Sequence, residues 1–203
     1  MEMEEVLERM GNSIVGLISI SKSLGMDFKS LVEALSKNTK HFGKEPMKVR
    51  DRFTATVFDK QGNVKQQYDS GWSLNGVTNA GFAEVAGLIL TDVGGTAFDY
   101  IAIGTGTTAF SASDTALESE VKRKAATGTR VTTSVTNDTA QLQATFSSSD
   151  GLSGSHAITE SGVLNASSGG TLLCRQVFSA LNIDWDAGDS LQITWKIQMQ
   201  QGS

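Results

Sequence analysis

Near the end of the chain, Leu191, Ile193, Trp195, Ile197 and Met199 alternate without a break with Gln192, Thr194, Lys196, Gln198 and Gln200. A period of two belongs to the β-strand, whose successive side chains leave on opposite faces. Five large apolar groups on one face commit that face to a core. A slip of one residue would turn all of them into water. The segment therefore predicts a strand with one buried and one polar face, in a sheet packed against another layer.

Shorter runs of the same kind recur upstream. Arg52–Phe58 and Val64–Tyr68 flank Asp59-Lys60-Gln61-Gly62-Asn63, a glycine-containing hairpin loop. Tyr100–Ile103 is a compact apolar strand ending at Gly104, and further strands are expected at Leu117–Lys124, Arg130–Thr136, Ala140–Phe146, Ala157–Val163, Gly170–Phe178 and Leu191–Met199. Asn137-Asp138 reads as a tight hairpin turn, since both residues tolerate positive φ. Thr78 or Asn79 is placed to cap a short helix through Phe82, Val85, Ala86, Leu88 and Ile89. Short strands separated by Gly/Ser turns, with one short helix, predict a mainly β fold. The expected form is an antiparallel β-sandwich or jelly-roll-like domain.

The chain changes character near residue 50. Residues 1–40 are rich in Leu, Met, Ile, Glu and Lys; from Arg52 onward Thr, Ser, Gly, Val and Phe dominate. Residues 1–50 hold 8 basic and 7 acidic side chains against 9 and 15 in residues 51–203, so the net charge of -5 divides as +1 and -6, with the negative charge on the β region. Pro46, the single proline, sits in the segment joining the two. The reading is a helical arm over 1–40, a linker over 41–50 and a β-sandwich domain over 51–203.

Within the arm, Met3, Leu7, Met10, Ile14 and Leu17, then Leu24, Phe28, Leu31 and Leu35, follow the alternating spacing of a coiled-coil seam, with Ser21 as a polar interruption. Gly25 followed by Asp27 reads as a helix stop and a fresh N-cap. Two helices, about 3–23 and 28–38, are thus expected rather than one rod. The seam residues are candidates for an assembly interface, within a hairpin packing on its own or a neighbouring chain, or in a self-associating bundle. Membrane-surface binding through Ile14–Ile20 is disfavoured, because the polar face is not strongly basic.

Candidate chemistry is thin. Cys174 is alone, which excludes an internal disulfide framework and a multi-cysteine zinc site, and His41 and His156 lie far apart. The acidic balance argues against a general nucleic-acid binder. No run of 18 apolar residues is present, and the acidic start MEMEEVLERM is not that of a secretory signal, so synthesis in the cytoplasm is expected. Gly104-Thr105-Gly106-Thr107-Thr108 looks like part of a phosphate-cradling loop but lacks the lysine of that motif, so a structural turn is expected. Asp114, Glu118 and Glu120 are a possible cation cluster, with surface solvation the stronger reading. Asp184, Asp186 and Asp189 resemble a calcium loop without its full ligand set, and read as a turn. Lys122, Arg123, Lys124 and Arg130 are a partner-contact patch or the charges that protect an edge strand. Glu160 follows His156 by four residues without a third group to complete acid–base chemistry. No catalytic residue, metal site or cofactor is expected.

Six segments carry a resemblance: VTNAGF (77–82), YIAIGTGTTA (100–109), SDTALESEV (113–121), ITESGVLN (158–165), GGTLLCRQVF (169–178) and GDSLQITW (188–195). In order and spacing, across about residues 75–199, they resemble a recurrent family of tailed-bacteriophage virion proteins. The resemblance implies a β-rich assembly module without catalysis, located in the virion. The leading expectation is a capsid decoration (cement) protein bound to the major capsid protein on the outer lattice. A tail or tail-fibre component, with a helical stalk and a β head that binds a host surface, is the alternative. A homo-oligomer, favoured as a trimer, is expected in either case.

Overall fold

The computed structural model describes residues 21–27, 29–31, 33, 47–74, 76–90 and 93–201. The chain divides into two compact units, Met1–Pro46 with Gly202–Ser203, and Met47–Gln201.

In the first unit, the helix ending at Ser23 closes in a left-handed turn at Gly25, with φ of 66°. The Met26 amide donates to the Ser21 carbonyl at 3.0 Å and the Gly25 amide to the Lys22 carbonyl at 3.3 Å. This pair of bonds satisfies the last carbonyls of a helix. Asp27 then caps the next helix, accepting from the Ser30 amide at 2.9 Å and the Ser30 hydroxyl at 2.5 Å. The break read at Gly25–Asp27 is thus where two helices meet. Among the seam positions, Leu24 is half-exposed at this turn and Leu31 is buried. Met3, Leu7, Met10, Ile14, Leu17, Phe28 and Leu35 lie outside the described residues.

The second unit comprises β1 (Lys48–Phe58), β2 (Val64–Ser73), α1 (Asn79–Leu88), β3 (Tyr100–Gly104), β4 (Glu120–Ala125), β5 (Thr127–Val131), β6 (Thr139–Phe146), β7 (Ser155–Leu164), β8 (Leu172–Asp184) and β9 (Ser190–Gln200). They form a five-stranded sheet, β2-β1-β9-β6-β5, and a four-stranded sheet, β4-β3-β7-β8, with every pairing antiparallel. The two pack as a sandwich. Hairpin partners stay in one sheet and the chain crosses between sheets after each pair; β9 closes the first sheet between β1 and β6. β1 starts at Lys48, inside the 41–50 linker reading. Lys48, Val49 and Arg50 pair with Gln200, Met199 and Gln198, so the sheet absorbs the end of that segment.

Alternation builds the core. Phe53, Ala55 and Val57 of β1, Leu142, Ala144 and Phe146 of β6, and Leu191, Ile193, Trp195 and Ile197 of β9 are all buried. Phe53 lies at the centre of an aromatic group, with ring centroids 4.9 Å from Phe178 and 5.0 Å from Trp195. The Trp195 indole donates to the Ser161 hydroxyl at 3.1 Å, and Ser161 donates on to the Ala102 carbonyl at 2.8 Å. A wholly buried indole N–H thereby keeps a partner.

Two expectations fail locally. Asn137-Asp138 is not a tight hairpin: Val131 pairs with Thr139, leaving a seven-residue loop, although Asn137 does take φ of 61°. The Asp138 carboxylate organises it, accepting from the amides of Thr133, Ser134 and Val135 at 2.9 Å each. At the end of β9 the alternation breaks, with Gln198 buried and Met199 exposed. The loop explains this, because Gln198 donates to Asp138 at 2.5 Å and to Ser134 at 3.1 Å, while accepting from Arg50 at 2.6 Å.

Candidate functional site

β7 is buried on both faces from Glu160 to Leu164. One side faces the core. The other is covered by the connection between β3 and β4, residues 105–119, whose Leu117 packs with Ala102, Leu164 and Leu172. Glycine makes this approach possible, since a Cβ at Gly162 would stand 2.7 Å from a Leu117 methyl carbon.

Under this cover lies a charge cluster that the sequence reading did not assemble. Glu160 of β7 and Arg175 of β8 are both buried, and Arg175 Nε donates to Glu160 Oε2 at 2.8 Å. Arg175 Nη1 donates to Asp114 Oδ2 at 2.9 Å, and Nη2 lies 3.7 Å from Glu118 Oε2 without a hydrogen bond. Glu160 accepts from the amides of Gly106 at 3.0 Å, Ser119 at 2.7 Å and Glu118 at 3.1 Å. Glu118 accepts from the amides of Thr107 and Thr108 and from the Thr108 hydroxyl, each at 2.7 Å. The Thr108 hydroxyl and amide hold the Glu118 carboxyl below its usual range. Burial alone would lower the Arg175 pKa, but the hydrogen bonds it donates to Glu160 and Asp114, with their charges, outweigh that and raise it.

The glycine-threonine loop is therefore an anion-binding turn whose anions are the protein's own carboxylates. Gly104 and Gly106 are required by that approach: a Cβ at either would stand 2.5 Å from Glu160 Oε1. Net stabilisation from such a buried pair is small, yet removing one partner strands the other and costs about 3–5 kcal/mol. The cluster pins both ends of the 105–119 connection to the sheet.

The remaining candidates separate in space. Asp114 and Glu118 do not gather a cation with Glu120 and are not merely solvated; they meet Arg175, whereas Glu120 pairs with Arg123 at 2.6 Å. β4 is an edge of the four-stranded sheet, so Lys122, Arg123 and Lys124 sit where charge discourages stray pairing. Arg123 also holds the carbonyls of Ala166 and Gly169, and Lys124 holds Asp150. His156 accepts from the Trp185 indole at 2.9 Å, away from the Glu160 cluster. Asp184 and Asp189 form a turn: Asp189 accepts from the Asp184 amide at 3.0 Å and from Lys65 at 2.5 Å. Among the described residues, no group of three or more His, Cys, Asp or Glu side chains is placed to hold a metal ion, and no helix is long and apolar enough to cross a membrane.

Two groups in the core stand out chemically. Asp51 points inward from β1, fully buried, and neither carboxylate oxygen has a hydrogen-bond partner. Burial pushes its pKa up to about 6, against a weaker opposing pull from the Gly76 amide. Cys174 is also buried, and desolvation followed by the Asp51 charge pushes its thiol well above the ordinary range.

Beside Arg175, an open depression of about 620 Å³ is lined by Leu74, Val77, Phe110, Ala112 and Gln176 among others. Val77 bridges to Cys174, and Thr78 then starts α1. The Thr78 hydroxyl accepts from the Gly81 amide at 2.9 Å and donates to the Leu172 carbonyl at 2.5 Å. Leu74, Phe82, Leu88, Ile89, Leu90 and Val93 are all exposed. The sequence reading had the helix but not its exposed apolar side, because helical spacing alone does not say which face the sheet covers.

No protein-family model, curated protein or solved structure matches the chain.

Proposed function

We propose that this chain is a non-enzymatic structural protein of a tailed-phage virion, and specifically a capsid decoration protein that binds the outer lattice. The observation carrying this reading is where the resembling segments fall in the fold. Thr78 caps α1 on β8, Gly106 to Thr108 donate amides, and Asp114, Glu118, Glu160 and Arg175 form the ion cluster. Five of the six segments thus meet in one rigid construction on the second sheet. Their charges are matched to each other rather than held ready for a substrate, as suits a module that must keep its shape on a lattice. Binding only the assembled shell would stabilise that shell by mass action.

The helical seam favours a second reading, a tail or fibre part trimerised by a stalk. Copy number separates them. Quantitative peptide mass spectrometry of purified virions of the encoding phage should find hundreds of copies per particle for a decoration protein. A handful places the chain in the tail. Absence from the particle overturns the virion reading altogether.

A further inference from the structure

Asp51 is 1% exposed, and neither of its carboxylate oxygens has a hydrogen-bond partner. The described residues around it supply no countercharge. Across the strands stand Ser73 of β2 and Ile197 of β9, and Arg50 and Arg52 leave from the other face of β1, to Gln198 and Asp69. On β8, Cys174 is close enough to feel the Asp51 charge, while Arg175 turns to Glu160 and Asp114. The last wall is Gly76, whose amide pulls on the carboxylate without completing a hydrogen bond. A Cβ there would collide with Asp51 Oδ2, so only glycine lets the chain pass this close. From Gly76 to Thr78 the chain runs along the edge of β8 like a short extra strand. The Arg175 amide donates to the Gly76 carbonyl at 2.9 Å, Val77 bridges to Cys174, and the Thr78 amide donates to the Leu173 carbonyl at 2.8 Å. Val77 also lines the open depression beside Arg175. The segment thus lies between a buried acid and water.

We propose that Gly76–Thr78 is a pH-gated cover on the edge of β8, held down while Asp51 is protonated and lifted when Asp51 ionises. A buried carboxylate without partners is tolerated far better as the neutral acid. Lifting the cover admits water to the carboxylate. It also frees the Arg175 amide and the Leu173 carbonyl, which are then the unpaired groups of a sheet edge. Val77 must leave the core with the segment, which keeps the opened form a minor one. Covered, the acid has its pKa pushed up to about 6; in water it returns toward 3.8. Protonation therefore favours the closed form fully below 3.8, and that advantage is lost as pH rises through 6. From pH 4.5 to pH 7.5 opening should become about 25-fold more frequent, levelling off above about pH 6.5. The Cys174 thiol, raised well above its ordinary range, stays neutral throughout. The gate depends on these contacts alone and holds whether or not the chain belongs to a virion.

The test is amide hydrogen exchange of the full chain, read by NMR and corrected for the intrinsic effect of pH on exchange. Thr78 and Arg175 should exchange faster than Ile193 and Trp195 of β9, and low denaturant should speed only the β9 pair. Opening at Thr78 and Arg175 should rise about 25-fold from pH 4.5 to pH 7.5 in wild type, and less than about threefold in Asp51→Asn. Exchange of Thr78 and Arg175 in step with β9 overturns the proposal, as does a pH effect that survives in Asp51→Asn. Should that variant not fold, the carbon-13 resonance of the Asp51 carboxyl in wild type decides. Opening should level off at the pH where this carboxyl titrates. A carboxyl that titrates in the ordinary aspartate range, near 3.8, or opening that ignores its titration, overturns the gate.

Discussion

Asp51 faces the core on the same side of β1 as Phe53, Ala55 and Val57, and an unpartnered carboxylate there is costly when charged. Its pKa is raised from 3.8 to about 6 by burial, so between those values the folded state binds more protons than the unfolded chain. Stability from the protonated form is therefore complete below about pH 4 and is lost as pH rises through 6. Asp69, Asp138 and Asp189 are held below their ordinary values and act in the opposite sense, but only at lower pH. Denaturant melts should accordingly show stability falling by about 2 kcal/mol from pH 4.5 to pH 7.5. Asp51→Asn should flatten that slope and raise stability at pH 7.5; an unchanged slope would show that Asp51 is not its source. Cys174, buried with its thiol pKa raised, should resist thiol reagents in the native state and label at the rate of unfolding.

For the elements, the 105–119 connection owes its position to Glu160 and Arg175. Glu160→Gln keeps the shape but leaves Arg175 without its shortest charge partner, and should cost about 3 kcal/mol. Amide hydrogen exchange at Gly106 and Ser119, which donate to Glu160, should speed up more than exchange in β9. Uniform acceleration across the sandwich would show that the loop and sheet open as one unit. Thr78→Ala removes both the cap of α1 and the bond to the Leu172 carbonyl, and should cost about 1–2 kcal/mol in a thermal or denaturant melt.

Across the whole molecule, the second unit contains both sheets and a shared core from Val49 to Ile197. It should fold without residues 1–46. A chain of residues 47–203 is expected to unfold in one cooperative step, with the fluorescence of its three tryptophans and circular dichroism giving coincident transitions. Separated transitions would show that the two sheets do not unfold as one unit. Because β9 pairs with β1 across nearly the whole unit, folding should be slow, in the millisecond to second range of sandwiches.

Local chemistry made much of this fold legible in the sequence. Alternation along residues 191–197 dictates a strand with one apolar face, Thr78 dictates a helix start, and Gly25–Asp27 dictates a stop and restart, because each signal acts within a few residues. What only the tertiary structure decided depends on residues far apart in the chain. Glu160 sits beside His156 in sequence but bonds to Arg175, and Asp114 and Glu118 join that pair instead of a cation. The seven-residue loop on Asp138 and the buried Gln198 belong together for the same reason. Which side of α1 faces outward was likewise settled by where Gly81 lets the helix touch β8. Periodicity states that a face exists; only packing states what it meets.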